Sequence, residues 1–206
     1  MIIKRFEVGP LFVNCYLIGC EQTRLGAVID PGDEADMLLE QAQYLGLQIQ
    51  QIINTHGHSD HIADNKEVKA LTGAKIYIHP ADADMLTDPR KNLSAFFGEA
   101  IVSPPADAFL QENQIHKLGR LEFKILHIPG HSPGSACLLH HKTAFTGDTI
   151  FAGSIGRTDF PGGSYELLIS GIRTKILTLS GDYALLPGHG PITSVEEERL
   201  YNPFFS

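Results

Sequence analysis

The pattern of apolar and polar positions predicts alternating strands and helices along most of the chain. Within the first thirty residues, two strands joined as a hairpin are predicted for FVNCYLIG and LGAVID, on either side of the polar CEQTR. Helical spacing follows in EADMLLEQAQYL, with Asp33 expected to cap it and Gly46 to end it. We then predict a strand for IQQIIN, a helix for IADNKEVKALTG ended by Gly73, and a strand for AKIYIH. This alternation indicates a layered β/α half.

The second half of the chain repeats this alternation. It begins after a polar, proline-containing stretch from 82 to 107, which we expect to form a loop over the face that carries the site. Strands are predicted for LEFKILHI, SACLLHH, KTAFTG and YALLP, and helices for SYELLISGIRTKILTL and SVEEERLY. With 206 residues, 43% of them apolar, the chain is predicted to form one domain over residues 1–206.

Composition narrows the possible partners and compartment. The net charge is −8, which leaves no basic surface for a nucleic-acid backbone. No apolar run reaches the roughly 18 residues of a membrane span, and the N-terminus lacks a signal-peptide pattern. We therefore expect a cytoplasmic protein that binds neither nucleic acid nor membrane. Cys15, Cys20 and Cys137 form no Cys-x-x-Cys pair and are predicted to be small buried side chains.

The segment NTHGHSDH, residues 54–61, concentrates potential metal ligands directly after a predicted strand. His56 and His58 are two residues apart, so in extended backbone both imidazoles leave the chain on the same side and can converge on one cation. Asp60 and His61 follow at the predicted start of a helix, where side chains take another direction. A second cation could be held there, and this segment alone leaves open whether one or two are bound.

Three further ligand types each follow a predicted strand: His131 in HIPGHSPGSA, Asp148 in FTGDTIF and His189 in LLPGHGP. A single histidine after a strand is usually a hydrogen-bonded loop residue. Several such residues together are different, because strand ends in an open β/α sheet share one crevice. We expect these three side chains to meet the motif there. The first candidate for an exception among the other histidines is His79, because it ends a strand on the same side of the sheet as the motif. Structural or surface roles are predicted for the whole set: His79, His116, His127, His140 and His141.

Four motifs in order resemble those of the metallo-β-lactamase fold superfamily: Thr55-His56-x-His58-x-Asp60-His61, Gly130-His131-Ser132-Pro133-Gly134, Gly147-Asp148 and Gly188-His189-Gly190. The resemblance implies an α/β fold (α+β by some schemes), a four-layer αβ/βα sandwich with a two-metal site at one edge. It places one metal on His56, His58 and His131. It assigns the second metal to Asp60, His61 and His189, with Asp148 bridging the two metals. Asp30, in VIDPG, matches an aspartate that lies behind the metal ligands.

This ligand set predicts hydrolysis. Two divalent ions carry four positive charges, whereas Asp60, Asp148 and a bridging hydroxide supply three negative ones. The remaining positive charge can polarise a carbonyl and stabilise the oxyanion formed on attack. A metal-bound water, with its pKa lowered to about 7, would be the nucleophile, and Asp60 and Asp148 the catalytic carboxylates. Imidazole and carboxylate ligands suit zinc, iron or manganese, and we expect zinc.

The segments after Asp148 point to a substrate. GSIGRTDFPGGS, residues 153–164, is similar to the loop of type II glyoxalases in which a basic residue at the position of Arg157 contacts glutathione. The closing LLPGHGPITSVEEERLYNPFF resembles short bacterial type II glyoxalase-like hydrolases. The resemblance implies hydrolysis of S-lactoylglutathione. However, Asp159 stands where an aromatic residue is usual, and the sequence ends before a helical region that adds glutathione contacts, so another thioester, a lactone or a small ester stays open as substrate.

A second class of enzyme shares part of this pattern. GRTDF also occurs in persulfide dioxygenases, which hold a single iron with two histidines and one aspartate, here His56, His131 and Asp148. The context of His189 in PGHGP favours the two-metal hydrolase instead. A catalytically inactive scaffold would be expected to have lost ligands, and all seven are present.

Overall fold

Two mixed six-stranded sheets form the centre of the molecule, as seen in a computed structural model that describes residues 1–205. The strands are β1 (Ile2–Val8), β2 (Val13–Gly19), β3 (Leu25–Ile29), β4 (Gln48–Ile53), β5 (Lys75–Ile78), β6 (Ala108–Phe109), β7 (Ile115–Leu118), β8 (Leu121–His127), β9 (Ala136–His140), β10 (Thr143–Gly147), β11 (Ile150–Phe151), β12 (Ser154–Ile155), β13 (Ala184–Pro187) and β14 (Thr193–Ser194). The first sheet has the order β1-β2-β3-β4-β5-β6 and the second β14-β13-β10-β9-β8-β7, while β11 and β12 pair separately.

Helices cover the outer face of each sheet. They are α1 (Ala35–Tyr44), α2 (Ser59–Ile62), α3 (Asn65–Thr72), α4 (Ser94–Phe97), α5 (Tyr165–Gly171) and α6 (Val195–Tyr201), with a 3-10 helix over Pro80–Leu86 and a π-helical turn over Ile172–Ile176 that continues α5. Leu38 of α1 and Val68 of α3 are buried against the first sheet. Leu168 of α5 is buried against the second sheet.

The period-two alternation of β2 shows how the layers are built. Cys15 and Leu17 face the helices, whereas Tyr16 and Ile18 face the second sheet. Phe123 is fully buried in the same core between the sheets. The result is a helix-sheet-sheet-helix sandwich, which confirms the predicted fold class. The three cysteines are free and buried, as predicted. Within residues 1–205, no helix combines the length and apolar character needed to cross a membrane.

The helix boundaries differ from the predictions where distant contacts decide them. Asp33 is not the N-cap of α1: Glu34 occupies that position with φ 62°, and the amide of Ala35 donates to Asp64 Oδ2 at 2.7 Å. Gly46 ends α1 with φ 64°, as predicted. The predicted helix over IADNKEVKALTG is interrupted at Asp64, so that α2 and α3 are separate elements.

Two further regions were predicted incompletely. Strand β1 was missed, although it pairs with β2 along its whole length, from Ile2 opposite Gly19 to Val8 opposite Val13. It is an edge strand whose side chains are mostly half-buried or exposed, so its alternation is weak. The stretch 82–107 is not a simple loop: it contains most of the 3-10 helix and α4, and it buries Leu86 in the core under the first sheet.

Candidate metal centre

Loops at one edge of the sandwich carry all the predicted ligands. Asp30 follows β3 and the segment 54–61 follows β4, and these strands are parallel neighbours. In the second sheet Asp148 follows β10 and His189 closely follows its parallel neighbour β13. Because parallel strands end at the same edge, each sheet delivers its side chains to the same crevice. The structure therefore brings together the seven side chains that we call the ligand cluster: His56, His58, Asp60, His61, His131, Asp148 and His189.

Three buried imidazoles form the first group of the ligand cluster. Nε2 of His131 lies 2.9 Å from Nδ1 of His58 and 3.2 Å from Nε2 of His56. The loops that carry these atoms follow strands of two different sheets. The atoms are nevertheless close enough to share one cation. The three imidazoles are the ones that sequence resemblance assigned to one metal.

The second group lies beside the first and consists of Asp60, His61 and His189. Oδ2 of Asp60 lies 3.4 Å from Nε2 of His189 and 3.6 Å from Nε2 of His61. The carboxylate of Asp148 lies between the groups: Oδ1 is 3.4 Å from Nε2 of His61, and Oδ2 is 3.5 Å from Nε2 of His131. Asp148 is thus within reach of both groups. A Cβ at Gly188 would lie 2.2 Å from Asp148 Oδ1, so this approach requires glycine there.

The outer ring nitrogens fix the direction of the imidazole lone pairs. Nδ1 of His131 lies 2.8 Å from the carbonyl oxygen of Arg157, Nδ1 of His61 lies 3.1 Å from Asp30 Oδ2, and Nδ1 of His189 lies 3.1 Å from the carbonyl oxygen of Leu11. When Nδ1 donates in these contacts, Nε2 carries a lone pair that points into the cluster.

Two buried polar atoms without hydrogen-bond partners indicate whether this site fits a metal. Among the described residues, Nε2 of His61 and Oδ1 of Asp148 have no hydrogen-bond partner. Buried polar atoms without partners are costly unless something else satisfies them. Nitrogen and carboxylate donors that converge in this way suit divalent cations, so the residues fit a metal centre.

The ionisation of the cluster depends strongly on its charged neighbours. Burial lowers the pKa of His61, but the carboxylates of Asp148 and Asp60 outweigh it and raise this pKa to about 10. Burial and the neighbouring His131 lower the pKa of His58 to about 3. Burial raises the pKa of Asp60, but His61 and His189 lower it overall. Without a cation, His61 therefore holds a proton near neutral pH, whereas His58 presents a neutral ring.

Asp30 lies behind the cluster rather than within it. It is buried and accepts hydrogen bonds from the amide of Thr55 at 2.7 Å and the hydroxyl of Thr55 at 2.6 Å, besides contacting His61. Its φ is 52°, an uncommon conformation for a residue other than glycine. This placement agrees with the position that the resemblance implied.

Arg157 lies beside the cluster, since its carbonyl oxygen contacts His131. Its guanidinium pairs with both carboxylate oxygens of Asp159, at 2.9 and 2.7 Å, and lies 4.2 Å from the ring centre of Phe160. The Phe160 ring is in turn 5.6 Å from that of His58. On the other side, Leu11 and Phe12 are 60% and 68% exposed next to the loop of His189. We call these five residues the rim: Leu11, Phe12, Arg157, Asp159 and Phe160.

The sequence did not single out two buried carboxylates, Asp82 between the ligand loops and Glu198 in α6. Asp82 accepts hydrogen bonds from the loops of His56 and His131. Glu198 of α6 accepts hydrogen bonds from the backbone amide of Gly153, at the start of segment 153–164, and from the side-chain amide of Asn202. Neither lies in a ligand motif, and a single acidic residue in a helix is ordinarily exposed, so only the distant contacts reveal them.

The five other histidines lie outside the ligand cluster, as predicted. The ring of His79 stacks on that of His127, with centroids 3.8 Å apart, while Nε2 of His127 lies 2.9 Å from the carbonyl oxygen of Pro133. His116 contacts the side chain of Gln51 at 2.8 Å. His79, the candidate for an exception, thus packs on His127 and does not join the cluster.

The sandwich and the His/Asp cluster at its edge define a class of metal-dependent hydrolases. Residues 8–189 match the family model described as the metallo-beta-lactamase superfamily, and the chain belongs to that superfamily. This confirms the family predicted from the four sequence motifs.

Individual relatives cover the whole chain. The hydroxyacylglutathione hydrolase GloC of Haemophilus influenzae is 41% identical over 214 residues, which span 100% of this chain and 99% of GloC. The crystal structure of the BLEG-1 B3 metallo-beta-lactamase superposes with a TM-score of 0.94 at 33% identity and 100% coverage of both chains. TTHA1623 in a di-iron-bound form superposes with a TM-score of 0.86 at 33% identity, covering 98% of this chain and 99% of that one.

Proposed function

We propose that this protein is a binuclear metal-dependent hydrolase of the glyoxalase II type, which cleaves S-lactoylglutathione or a similar thioester. The observation that carries the proposal is the arrangement of seven donor side chains in two adjacent groups with Asp148 between them. Similarity to a hydroxyacylglutathione hydrolase over the full chain supports the substrate class. The di-iron-bound form of a similar chain supports two metals.

The residues of each group would hold one divalent ion, zinc in our proposal, although the same donors accept iron or manganese. His56, His58 and His131 form one site and Asp60, His61 and His189 the other, with Asp148 shared. Bound divalent ions supply Lewis acidity toward a carbonyl and an acidified water as nucleophile.

The chain's own residues contribute orientation and charge. The outer hydrogen bonds of His61, His131 and His189 hold these rings in place, so the donor set needs little rearrangement during the reaction. Asp60 and Asp148 add only two negative charges to the cluster. These two charges are fewer than the four that two divalent ions would supply. The cluster would therefore remain positive toward a substrate carbonyl that becomes an oxyanion.

The rim would bind the parts of the substrate that do not react. The exposed side chains of Leu11 and Phe12 and the partly buried ring of Phe160 offer apolar contacts beside the cluster. Arg157 supplies the cation for an anionic thiol such as glutathione, but Asp159 already neutralises it. We therefore propose that neutral thioesters, lactones or small esters compete well with glutathione conjugates at this site.

Metal analysis combined with a substrate panel tests the proposal. Protein purified without added metal is analysed by mass spectrometry for metal content. It is then assayed with S-lactoylglutathione, a neutral thioester, a lactone and a β-lactam. We expect two equivalents of metal and thioester turnover that a chelator abolishes and added zinc restores. Turnover of only the β-lactam or only the lactone would reject a thioesterase.

The persulfide dioxygenase is the second candidate, favoured by the proximity of His56, His131 and Asp148. Nε2 of His131 lies 3.2 Å from Nε2 of His56 and 3.5 Å from Asp148 Oδ2. A dioxygenase would contain one equivalent of iron, consume oxygen with glutathione persulfide and lack thioester turnover. The variant His189→Ala separates the two, because it removes a donor that only the two-metal hydrolase uses.

A further inference from the structure

We propose that Asp82 is a positioning residue that joins the two loops carrying His56, His58 and His131. The inference rests on the proposed metal site and assigns a role to a carboxylate outside the seven ligands. Asp82 lies in the 3-10 helix Pro80–Leu86, in a part of the chain with no ligand motif.

The carboxylate of Asp82 contacts both loops directly. Oδ2 accepts hydrogen bonds from the amide of Gly57 at 3.0 Å and from the hydroxyl of Ser132 at 2.6 Å, and Oδ1 accepts from the amide of Gly134 at 2.6 Å. Gly57 lies between His56 and His58, and Ser132 follows His131. Each donor is therefore within three residues of a predicted metal ligand.

These loops need a connection because they belong to different sheets. The segment with His56 and His58 follows β4 of the first sheet, whereas His131 lies between β8 and β9 of the second. Their imidazoles nevertheless meet with Nδ1 of His58 only 2.9 Å from Nε2 of His131. A shift of one sheet against the other would separate these nitrogens. Hydrogen bonds to one rigid carboxylate oppose that shift.

Burial shows that Asp82 is enclosed by this arrangement. Its exposed fraction is 0%. Burial raises the pKa of Asp82, while the donors Ser132, Gly134 and Gly57 lower it. A buried carboxylate is costly unless donors surround it, and here they come from both ligand loops.

The close approach also explains a glycine of the His131 motif. A Cβ at Gly134 would lie 2.6 Å from Cγ of Asp82. The amide of Gly134 could not then reach the carboxylate. The glycine in HSPG is thus required by Asp82, not by direct contact with a metal.

Asp82 is not the only link between the loops. The amide of Ala136 donates to the carbonyl oxygen of Thr55 at 2.9 Å. Loss of the Asp82 carboxylate should therefore loosen the first metal group without separating the sheets. An asparagine would preserve size, but its NH2 group would face one of the three donors instead of accepting from it.

The test compares Asp82→Asn with Glu198→Gln in otherwise intact protein. Glu198 is also buried, at 2% exposure, and accepts hydrogen bonds from Gly153, Thr193 and Asn202, none of which lies in a ligand motif. Zinc affinity is measured by competition with a chromophoric chelator, and the visible spectrum is recorded after substitution with cobalt(II). Thermal unfolding of the metal-free proteins reports any general loss of stability.

We expect Asp82→Asn to weaken zinc binding about 10- to 100-fold, the range typical of residues that orient metal ligands, and to change the cobalt spectrum. Glu198→Gln should leave zinc affinity within about threefold, because it breaks a comparable number of buried hydrogen bonds away from the ligands. Asp82→Glu should not restore the affinity, since the longer side chain displaces the loops that the shorter one joins.

A second variant keeps the test decisive should Asp82→Asn fail to fold. Ser132→Ala removes one of the three donors and should weaken zinc binding about 2- to 10-fold. Wild-type affinity and spectrum in every one of the two variants that folds, with only a lower unfolding temperature, would show that Asp82 supports the fold alone and would overturn the inference. Absence of zinc binding by the wild-type protein is a different result, since it overturns the proposed metal site itself.

Discussion

The ligand cluster and the rim lie side by side, but the structure holds them in different ways. His61 is fully buried. Nδ1 of its ring contacts Asp30, and Nε2 on the other side of the ring points into the cluster. Arg157 is instead exposed, and its partner Asp159 is an exposed neighbour two residues along the chain. Buried contacts between distant segments fix geometry tightly, whereas exposed pairs contribute little to it. In the proposed hydrolase, the cluster would therefore set the class of reaction, and the rim would be where the choice of substrate can change.

The largest effect is expected from Asp148→Ala, which breaks the cluster at its centre. Its carboxylate lies between the two groups, so both lose a donor when it is removed. We expect thioester hydrolysis to fall by roughly 1,000-fold or more and bound metal to drop below two equivalents. Steady-state kinetics and metal analysis measure this.

Asp159→Ala is the matched control for that change, because it removes a carboxylate of the rim. It should retain full metal content. If Asp148→Ala and Asp159→Ala both lose metal, or if neither does, the cluster and the rim do not differ in their role in metal binding.

A smaller loss of activity is expected from Asp30→Ala, which removes a contact behind the cluster. His61 would lose the acceptor that orients its ring, and Thr55 would lose the partner of both its amide and its hydroxyl. We expect activity and metal affinity to decrease about 10- to 100-fold. If chelator titration gives wild-type affinity, Asp30 does not orient the ligand.

Arg157→Ala probes the rim and should have a modest, substrate-dependent effect. KM for an anionic thioester should rise about 3- to 10-fold, while kcat and the KM for a neutral ester stay near wild type, since an exposed pair contributes little binding energy. Asp159→Asn frees the guanidinium and should lower KM for the anionic substrate by a similar factor. Equal changes for anionic and neutral substrates in these variants would make Arg157 a structural residue.

The smallest signal is a proton released when the metal-free protein binds zinc. The carboxylates around His61 raise its pKa to about 10, so near pH 7 its ring is protonated, and a metal must displace that proton. The stabilising effect of this protonation on the metal-free fold is complete below the ordinary histidine pKa and is lost as the pH rises through about 10. Zinc affinity should accordingly increase with pH.

Isothermal calorimetry in two buffers of different ionisation enthalpy measures the release. We expect about one proton per protein at pH near 7. Identical heats in the two buffers would show that His61 is already neutral in the metal-free protein.

Sequence patterns determined much of the fold and the composition of the candidate site. Strands such as β4, β5, β8 and β13 were predicted because their apolar runs are short and bounded by turn residues. The seven ligands of the cluster were predicted because they follow strands in four compact motifs, and strand ends of a β/α sandwich converge. These signals are local in sequence, so they can be read without coordinates.

Sequence patterns did not indicate which distant residues support those local elements. Asp64, not Asp33, accepts the first amide of α1, and Asp82 joins loops from two sheets. A carboxylate accepts from whichever donor lies near it in space, and its position in the sequence carries no record of that donor. Sequence motifs therefore predicted which side chains make up the cluster and their order, whereas the contacts that hold and direct them follow from the packing of two sheets against each other.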